Sequence, residues 1–169
     1  AKNKFNITYN LQGGTMSSSN PTTYSAGSTN FSIKNPTKTG YTFTGWTGST
    51  STKTTTAYIS STDRFNKTFT ANWIPNTYTI KFYSNGGSGN MNSENFTYDK
   101  PQILIPNTFI RNGYTFKGWN TKADGTGITY NDLAVVKNLL SVDKTQMNLY
   151  AQWEKNPSTE YNIIYTLNG

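Results

Sequence analysis

Few side chains in this sequence could perform catalysis. The 169 residues contain no histidine and no cysteine, and Asp63 is the only carboxylate among the first 77. Catalytic sites are usually built from a nucleophile with a base, from paired carboxylates or from a bound metal. Serine, threonine, tyrosine and lysine remain, without a spacing that indicates activation. We therefore predict that the protein is not an enzyme and needs neither a metal nor a cofactor.

Two acidic residues stand beside a base in similar settings. Asp63 precedes Arg64, and Asp143 precedes Lys144. A repeated acid next to a base is compatible with a functional site. Aspartate is also common in turns, where its carboxylate accepts a hydrogen bond from the backbone two residues further on. We favour the turn as the explanation for both acids.

The elements that position these residues occur twice. A Gly-Tyr-Thr-Phe-x-Gly-Trp motif recurs after 73 residues. In both copies a Gly-Gly pair comes before it, and an aromatic strand that ends in tryptophan comes after it. The corresponding segments are 13–14 with 86–87, 40–46 with 113–119, and 69–73 with 149–153. Repeats of this length indicate an array of small domains.

These repeats set the predicted domain boundaries. We expect a linker at 1–4, a first repeat at 5–73, a linker at 74–77, a second repeat at 78–153, a linker at 154–160 and the first strand of a truncated third repeat at 161–169. The incomplete third copy predicts that the sequence is a piece of a longer protein. We expect a monomer, although the lone strand of the third repeat could pair with a sheet edge of another molecule.

The composition favours β structure. Aromatic residues make up 15% of the chain. Threonine, tyrosine and phenylalanine favour strands, while glycine, asparagine and proline favour turns. We predict a mostly β fold (α+β at most) with little helix, in which the cores of two small modules depend on aromatic rings. Residues 131–140 could form a helix or a strand, because their apolar residues have helical spacing but two adjacent valines favour a strand.

Local patterns predict the first hairpin of each module. Apolar residues alternate with polar ones at 5–11 and 78–82, as in a half-buried strand. Second strands are expected near 22–25 and 95–98. The Gly-Gly pairs between them permit positive φ angles, which would turn the chain into the second strand.

The central motif predicts a β-bulge. Tyr41 and Phe43 share one face of a strand, which we expect to be the core face, and Trp46 falls on the other. One extra residue in the strand would return the indole to the core side. We predict this bulge at Gly45 and at Gly118.

The charge pattern gives little evidence for a charged partner. The net charge is +7, and residues 1–77 hold seven basic side chains against one acid. These basic residues are scattered singly, which favours a solvated surface over an anion-binding site. No apolar run approaches the roughly 20 residues that span a membrane. We expect neither nucleic-acid binding nor membrane insertion by this segment.

The three motifs, twice in the same order, resemble the Listeria-Bacteroides repeat, also called the internalin B-repeat. The resemblance covers both complete repeats and the start of the third. It implies two β-grasp-like modules from a large cell-surface or secreted bacterial protein, and it implies no catalytic residues. The residues of the structural motif are Gly13, Gly14, Gly40, Tyr41, Phe43, Gly45, Trp46, Trp73, Gly86, Gly87, Gly113, Tyr114, Phe116, Gly118, Trp119 and Trp153.

Two functions are compatible with these observations. In the first, the repeats form a stalk that holds a distal adhesion domain away from the cell wall, with neighbouring repeats of the parent protein as partners. In the second, the repeats themselves bind a host glycan or host surface protein, since aromatic rings flanked by polar side chains can stack on sugars. We favour the stalk, because the repeated rings are expected to point into the core. The absence of cysteine is common in Gram-positive surface proteins, which fits either function.

Overall fold

The computed structural model describes residues 2–16 and 18–158. Within these residues the chain forms strands and turns and no helix, which confirms the predicted mostly β fold. The strands are β1 (Lys4–Asn10), β2 (Thr23–Ser25), β3 (Phe31–Ser32), β4 (Tyr41–Gly48), β5 (Tyr58–Ile59), β6 (Lys67–Pro75), β7 (Thr77–Tyr83), β8 (Glu94–Thr97), β9 (Gln102–Ile103), β10 (Tyr114–Asn120), β11 (Thr129–Tyr130), β12 (Val135–Val136) and β13 (Thr145–Lys155).

The first repeat forms a four-stranded sheet of order β2-β1-β6-β4. Strand β1 is antiparallel to β2 and parallel to β6, and β6 is antiparallel to β4. The first and last strands of the repeat therefore lie side by side and parallel in the middle of the sheet. This arrangement is β-grasp-like, as the resemblance implied.

The second repeat forms a five-stranded sheet of order β8-β7-β13-β10-β11. Strands β8, β7, β13 and β10 follow the order that β2, β1, β6 and β4 have in the first sheet. Strand β11 is the addition, and it pairs antiparallel with β10. Two small sheets complete the fold, one of β3 and β5 and one of β9 and β12.

The segment 131–140 contains a strand and no helix. Its residues Val135–Val136 form β12, while Leu133 and Asn138 have positive φ angles of 58° and 56°. An α-helix requires negative φ at every residue, so these two positions interrupt the helical spacing of the apolar side chains.

The aromatic motif supplies the largest side chains of the cores. Trp46 and Trp119 are completely buried. Ala71 lies directly opposite Trp46 across the sheet, and Ala151 lies opposite Trp119, so a small side chain leaves room for each indole. The core cluster of the first repeat is Ile7, Tyr24, Ile33, Trp46, Ala57, Ile59, Phe69 and Ala71.

The compact units of the chain do not follow the repeat boundaries. The first unit comprises the chain up to Thr79 together with Asn95–Gln102 and Val136–Gln146. The second unit comprises Ile80–Glu94, Ile103–Val135 and the chain from Met147 onward. Three segments of the second repeat, 78–79, 95–102 and 136–146, are therefore part of the first compact unit.

Strands occupy most of the expected linker 74–77. Strand β6 ends at Pro75 and β7 begins at Thr77, so only Asn76 lies between them. At the far end, β13 continues to Lys155. Residues 161–169, and with them the predicted third-repeat strand and its edge pairing, lie outside the described residues.

The two predicted bulges are confirmed. The register between β4 and β6 shifts between Phe43 and Gly45, and that between β10 and β13 shifts between Phe116 and Gly118. The φ angles of the two glycines are 132° and 136°, which other residues rarely adopt. Each bulge turns the tryptophan that follows towards the core.

The two glycines of the first hairpin have different roles. Positive φ belongs to Gln12 (52°) and Gly13 (80°), not to Gly14. Both central residues of the turn are thus left-handed, as in type I′ hairpins. Gly14 is required by space instead, because a Cβ there would lie 2.5 Å from Cζ2 of Trp73.

The second repeat uses the same turn. Asn85 and Gly86 have φ angles of 48° and 88°. A Cβ on Gly87 would lie 2.9 Å from Cζ2 of Trp153. Of each Gly-Gly pair, only the first glycine therefore has a positive φ angle, as the pair was predicted to permit. The second glycine is required because a tryptophan ring approaches its backbone closely.

We expect Gly14→Ala to destabilise the protein by about 1–3 kcal/mol, because the added methyl group overpacks against the indole. Replacing that indole with a smaller ring should relieve the clash. In urea unfolding, the double variant Gly14→Ala/Trp73→Phe should therefore lose less free energy of unfolding than the sum of the single variants.

Gly27→Ala is the matched control for this cycle. Gly27 has φ of 71°, and a Cβ there meets nothing within 4 Å. Its backbone strain should add to the effect of Trp73→Phe without coupling. Strict additivity in the Gly14 cycle as well would contradict the packing role of that glycine.

Candidate functional site

Three motif rings pack together in each repeat. Phe43 meets Trp46 and Trp73 edge-on, with centroid distances of 5.3 and 5.4 Å. Such pairs contribute about 0.5–1.5 kcal/mol each beyond their buried area. We call the three rings the aromatic ladder. The ladder of the second repeat is Phe116, Trp119 and Trp153, with distances of 5.0 and 5.6 Å.

Hydrogen bonds tie each ladder to the first hairpin turn. Nε1 of Trp73 donates to the carbonyl oxygen of Leu11 at 2.9 Å, and the same oxygen accepts the N–H of Gly14 at 3.0 Å. In the second repeat the carbonyl oxygen of Ser84 accepts Nε1 of Trp153 at 2.8 Å. This bond was not predicted from the sequence, although the Gly-Gly turn and the last tryptophan recur together in both repeats.

The central indoles of the two ladders differ in one hydrogen bond. Nε1 of Trp46 donates to Oδ1 of Asn35 at 3.2 Å. Nε1 of Trp119 is buried without a hydrogen-bond partner in the part of the chain that the structure describes. A buried donor left unpaired costs about 1–3 kcal/mol. The packing of this indole must therefore outweigh that cost.

The motif tyrosines do not lie in the cores, contrary to the expectation from strand alternation. Tyr41 is opposite Pro75 in the sheet, beyond the stretch of β6 that pairs with β1. It is partly exposed, and Nζ of Lys38 lies 4.0 Å from its ring centroid. Tyr114 is also partly exposed, with the Arg111 guanidinium 3.8 Å from its centroid.

Tyr41 contributes to a polar cluster around Asp99. Its hydroxyl donates to Oδ2 of Asp99 at 2.8 Å, and Nδ2 of Asn138 donates to Oδ1 at 2.9 Å. Nζ of Lys137 lies 3.3 Å from Oδ1. The bonds from Asn138 and Tyr41, followed by Lys137, hold the pKa of Asp99 at about 2. The same bond to Asp99 raises the pKa of Tyr41.

Asp99 was not among the residues singled out from the sequence. It has a φ angle of 63°, a conformation that aspartate tolerates better than most residues. The corresponding turn of the first repeat is Ala26-Gly27. The N–H of Ala26 donates to the carbonyl oxygen of Asn3, in the same way that the N–H of Tyr98 donates to the carbonyl oxygen of Asn76. A comparison of the repeats therefore gives no signal for a carboxylate at this position.

The two acids that the sequence did single out have structural contacts. Oδ2 of Asp63 accepts the N–H of Ser60 at 2.8 Å, and Oδ1 pairs with Nζ of Lys67 at 2.8 Å. Oδ1 of Asp143 accepts the N–H of Thr77 at 2.9 Å, which lowers the pKa of Asp143. Both acids therefore stabilise turns or strand ends. Their partners are further away in sequence than the predicted backbone N–H two residues after each aspartate.

The first compact unit contains a cavity of about 340 Å³ lined by hydroxyl groups. Serine and threonine residues between 49 and 56 line it, together with Tyr58, Asp63 and Lys67. The ion pair in this lining is nearly buried, with side chains 15% and 9% exposed, whereas Tyr58 is 61% exposed. Since both oxygens of Asp63 are already engaged, the polar hydroxyls and the exposed ring are what the cavity offers to a ligand.

The residues that the structure describes contain no group of three or more acidic, histidine or cysteine side chains arranged to hold a metal ion. No helix among them has the length and apolar character needed to cross a membrane.

Replacing the central indoles tests the difference between the ladders. Trp46→Phe and Trp119→Phe remove similar packing, but only the first leaves Asn35 without its donor. We expect Trp46→Phe to cost roughly 1 kcal/mol more of the free energy of unfolding than Trp119→Phe. Guanidinium unfolding followed by circular dichroism measures both, and a larger loss for Trp119→Phe would contradict the hydrogen-bond difference.

The low pKa of Asp99 predicts a pH-dependent contribution to stability. Its pKa in the folded protein, about 2, lies below the ordinary aspartate value of 3.8. The contribution to stability is therefore fully present above about pH 4 and is lost as the pH falls towards 2. Asp99→Asn should lower the melting temperature at pH 6 and have much less effect at pH 2. A pH-independent difference in thermal unfolding would count against the charged cluster.

Two named bacterial proteins are similar in sequence to this chain. Over 147 residues, or 80% of this chain, it is 32% identical to a protein named "Putative Gly-rich membrane protein" from Evansella cellulosilytica. Over 160 residues, or 91% of the chain, it is 33% identical to a "Putative membrane protein" from the same organism. The aligned part spans only 16% and 23% of these relatives.

The sequence profile of the Listeria-Bacteroides repeat domain matches residues 5–72 and 78–152. Each match covers most of one sheet and ends one residue before the last tryptophan of its aromatic ladder. The chain therefore belongs to the Listeria-Bacteroides repeat family and contains two tandem repeats of it.

Proposed function

We propose that this chain is a non-catalytic tandem-repeat segment of a bacterial cell-surface or secreted protein, where it acts as a stalk that presents a distal adhesion domain. The burial of the central indole of each ladder carries this proposal, together with the hydrogen bond made by the last tryptophan. Trp46 and Trp119 are completely buried, and Trp73 and Trp153 donate their indole N–H groups to backbone carbonyls. All four tryptophans of the repeated motifs therefore make contacts that stabilise the fold.

The connection after β6 also favours a spacer. Asn76 is the single residue between β6 and β7, and it is buried. Its Nδ2 donates to the carbonyl oxygen of Ser141 at 2.7 Å, and its Oδ1 accepts the hydroxyl of Thr42 at 2.6 Å. A connection this short and this well bonded has less conformational freedom than a flexible linker.

The relatives support an extracellular location. Both are named as membrane proteins, and the aligned part is less than a quarter of each. A segment of this kind would be one part of a much longer surface protein. Its partners would then be the neighbouring repeats, and we expect the segment itself to be a monomer.

A second function is favoured by the hydroxyl-lined cavity. Several serine and threonine hydroxyls beside the exposed ring of Tyr58 are suitable chemistry for a glycan, and a host surface protein carrying sugars would be the natural target. The hydroxyls between 49 and 56 belong to the first repeat only, since the second repeat has a different sequence after its motif. We rank this adhesion role below the stalk, because part of the hydroxyl set is already bonded to the chain, as for Thr50 with the carbonyl of Trp46.

A display experiment separates the two functions. A reporter domain is anchored to Gram-positive cells through this chain or through an inert spacer of equal length, and its capture by large antibody-coated beads is counted. The same chain, as purified protein, is applied to a glycan array and to host cells. The stalk predicts equal capture through both spacers and no saturable binding by the chain alone.

Saturable binding of the chain would contradict the passive stalk. If that binding uses the cavity, Tyr58→Ala should abolish it. Phe65→Ala is the matched control, because Phe65 is similarly exposed, at 57%, and is not among the residues that line the cavity.

A further inference from the structure

In the first compact unit, a small surface of the first repeat holds the turn Tyr98–Asp99. The ring of Tyr98 covers Gly40 so closely that a Cβ on that glycine would overlap it. Tyr41 meets Tyr98 edge-on at 5.8 Å and bonds Asp99 through its hydroxyl. The N–H of Tyr98 donates to the carbonyl oxygen of Asn76 at 2.9 Å. We call Gly40, Tyr41, Thr42 and Asn76 the occupied surface.

The second repeat carries the same four residue types at equivalent positions, Gly113, Tyr114, Thr115 and Asn156, which we call the open surface. The N–H of Asn156 donates to the carbonyl oxygen of Gly113 at 2.9 Å, as Asn76 does to Gly40 at 2.8 Å. The hydroxyl of Thr115 donates to Oδ1 of Asn156 at 2.6 Å, the distance also found between Thr42 and Asn76.

A cation lies over the tyrosine of each surface, and the glycine backbones also agree. Lys38 lies over the ring of Tyr41 and Arg111 over that of Tyr114. Gly40 and Gly113 both have a φ angle of 76°. The open surface is therefore already in the conformation that the occupied surface has with its turn in place.

Exposure distinguishes the two surfaces. Gly40 and Asn76 are buried, whereas Gly113 and Asn156 are exposed. A Cβ on Gly113 meets nothing within 4 Å. In the described part of the chain, the open surface is thus formed but not covered.

We propose that the open surface is a docking site for a following repeat, which binds through a turn with an aromatic residue and an acid, as in Tyr98–Asp99. The ring would cover Gly113, and the carboxylate would accept the hydroxyl of Tyr114 near the positive charge of Arg111. Residues 161–169 have the sequence pattern of the opening strand of a repeat, so the occupant that we propose is a repeat that begins at Tyr161.

The side chains of the turn determine which repeats can dock. The equivalent turn of the first repeat is Ala26-Gly27, which has neither a ring nor a carboxylate. A repeat with Ala-Gly at this turn would not dock, and a repeat with Tyr-Asp would. Seven residues separate Trp153 from Tyr161, and four separate Trp73 from Tyr78. The side-chain contacts must therefore stabilise the docked state across a slightly longer connection.

Spin-label distances test the docking in a fusion protein. A copy of residues 78–158 is placed after residue 160, so that its Tyr78 takes the place of Tyr161. The chain has no cysteine, so labels can be placed at single introduced cysteines. The pair Thr39→Cys and Lys100→Cys in the original chain gives the reference distance across the occupied surface. The pair Asn112→Cys and Lys100→Cys of the copy reports the open surface.

The proposal predicts the same narrow distance distribution for both pairs. It also predicts that the Ala-Gly turn, introduced as Tyr98→Ala/Asp99→Gly in the copy, broadens the second distribution, as does Tyr114→Ala in the preceding repeat. A broad distribution in the unmodified fusion, an unfolded copy in circular dichroism, or a narrow peak that survives both changes would overturn it. None of these outcomes decides the spacer role, because flexibly joined repeats can also form a stalk.

Discussion

The bond from the last tryptophan of each ladder to the first hairpin turn is the contact on which each repeat depends. In the first repeat, β1 and β6 run parallel, so the turn that follows β1 lies beside the end of β6. Trp73 stands near that end, and its indole reaches the carbonyl of Leu11. One contact therefore joins the first and last strands of the repeat, which are distant in sequence and adjacent in the sheet.

This contact explains two features of the motif together. The turn needs a glycine at its second central position for the backbone, and it needs a second glycine because the indole packs against it. The bulge at Gly45 then brings Trp46 to the same side as Phe43, which completes the ladder. With no disulfide available, large rings supply the buried area that so small a core requires.

The rest of the motif serves the ends of the repeats and not their cores. Gly40 and Tyr41 precede the ladder in sequence and lie at the end of the sheet beside Pro75, where they contact the turn at Tyr98 and Asp99. A single short motif thus contains residues that fold the repeat and residues that can join it to another. This division suits a protein whose proposed role is to be one segment of a series.

Local sequence patterns were sufficient to predict the repeats, the mostly β fold, the bulges and the core-facing positions of Trp46 and Trp119, because strand alternation and glycine placement depend on neighbouring residues. They left the segment 131–140 open, since the positive φ angles at Leu133 and Asn138 are not encoded by a local pattern. They also misplaced Tyr41 and overlooked Asp99. The environments of Tyr41 and Asp99 required the folded structure, because the two residues are distant in sequence and meet only when the turn at Asp99 packs beside Tyr41.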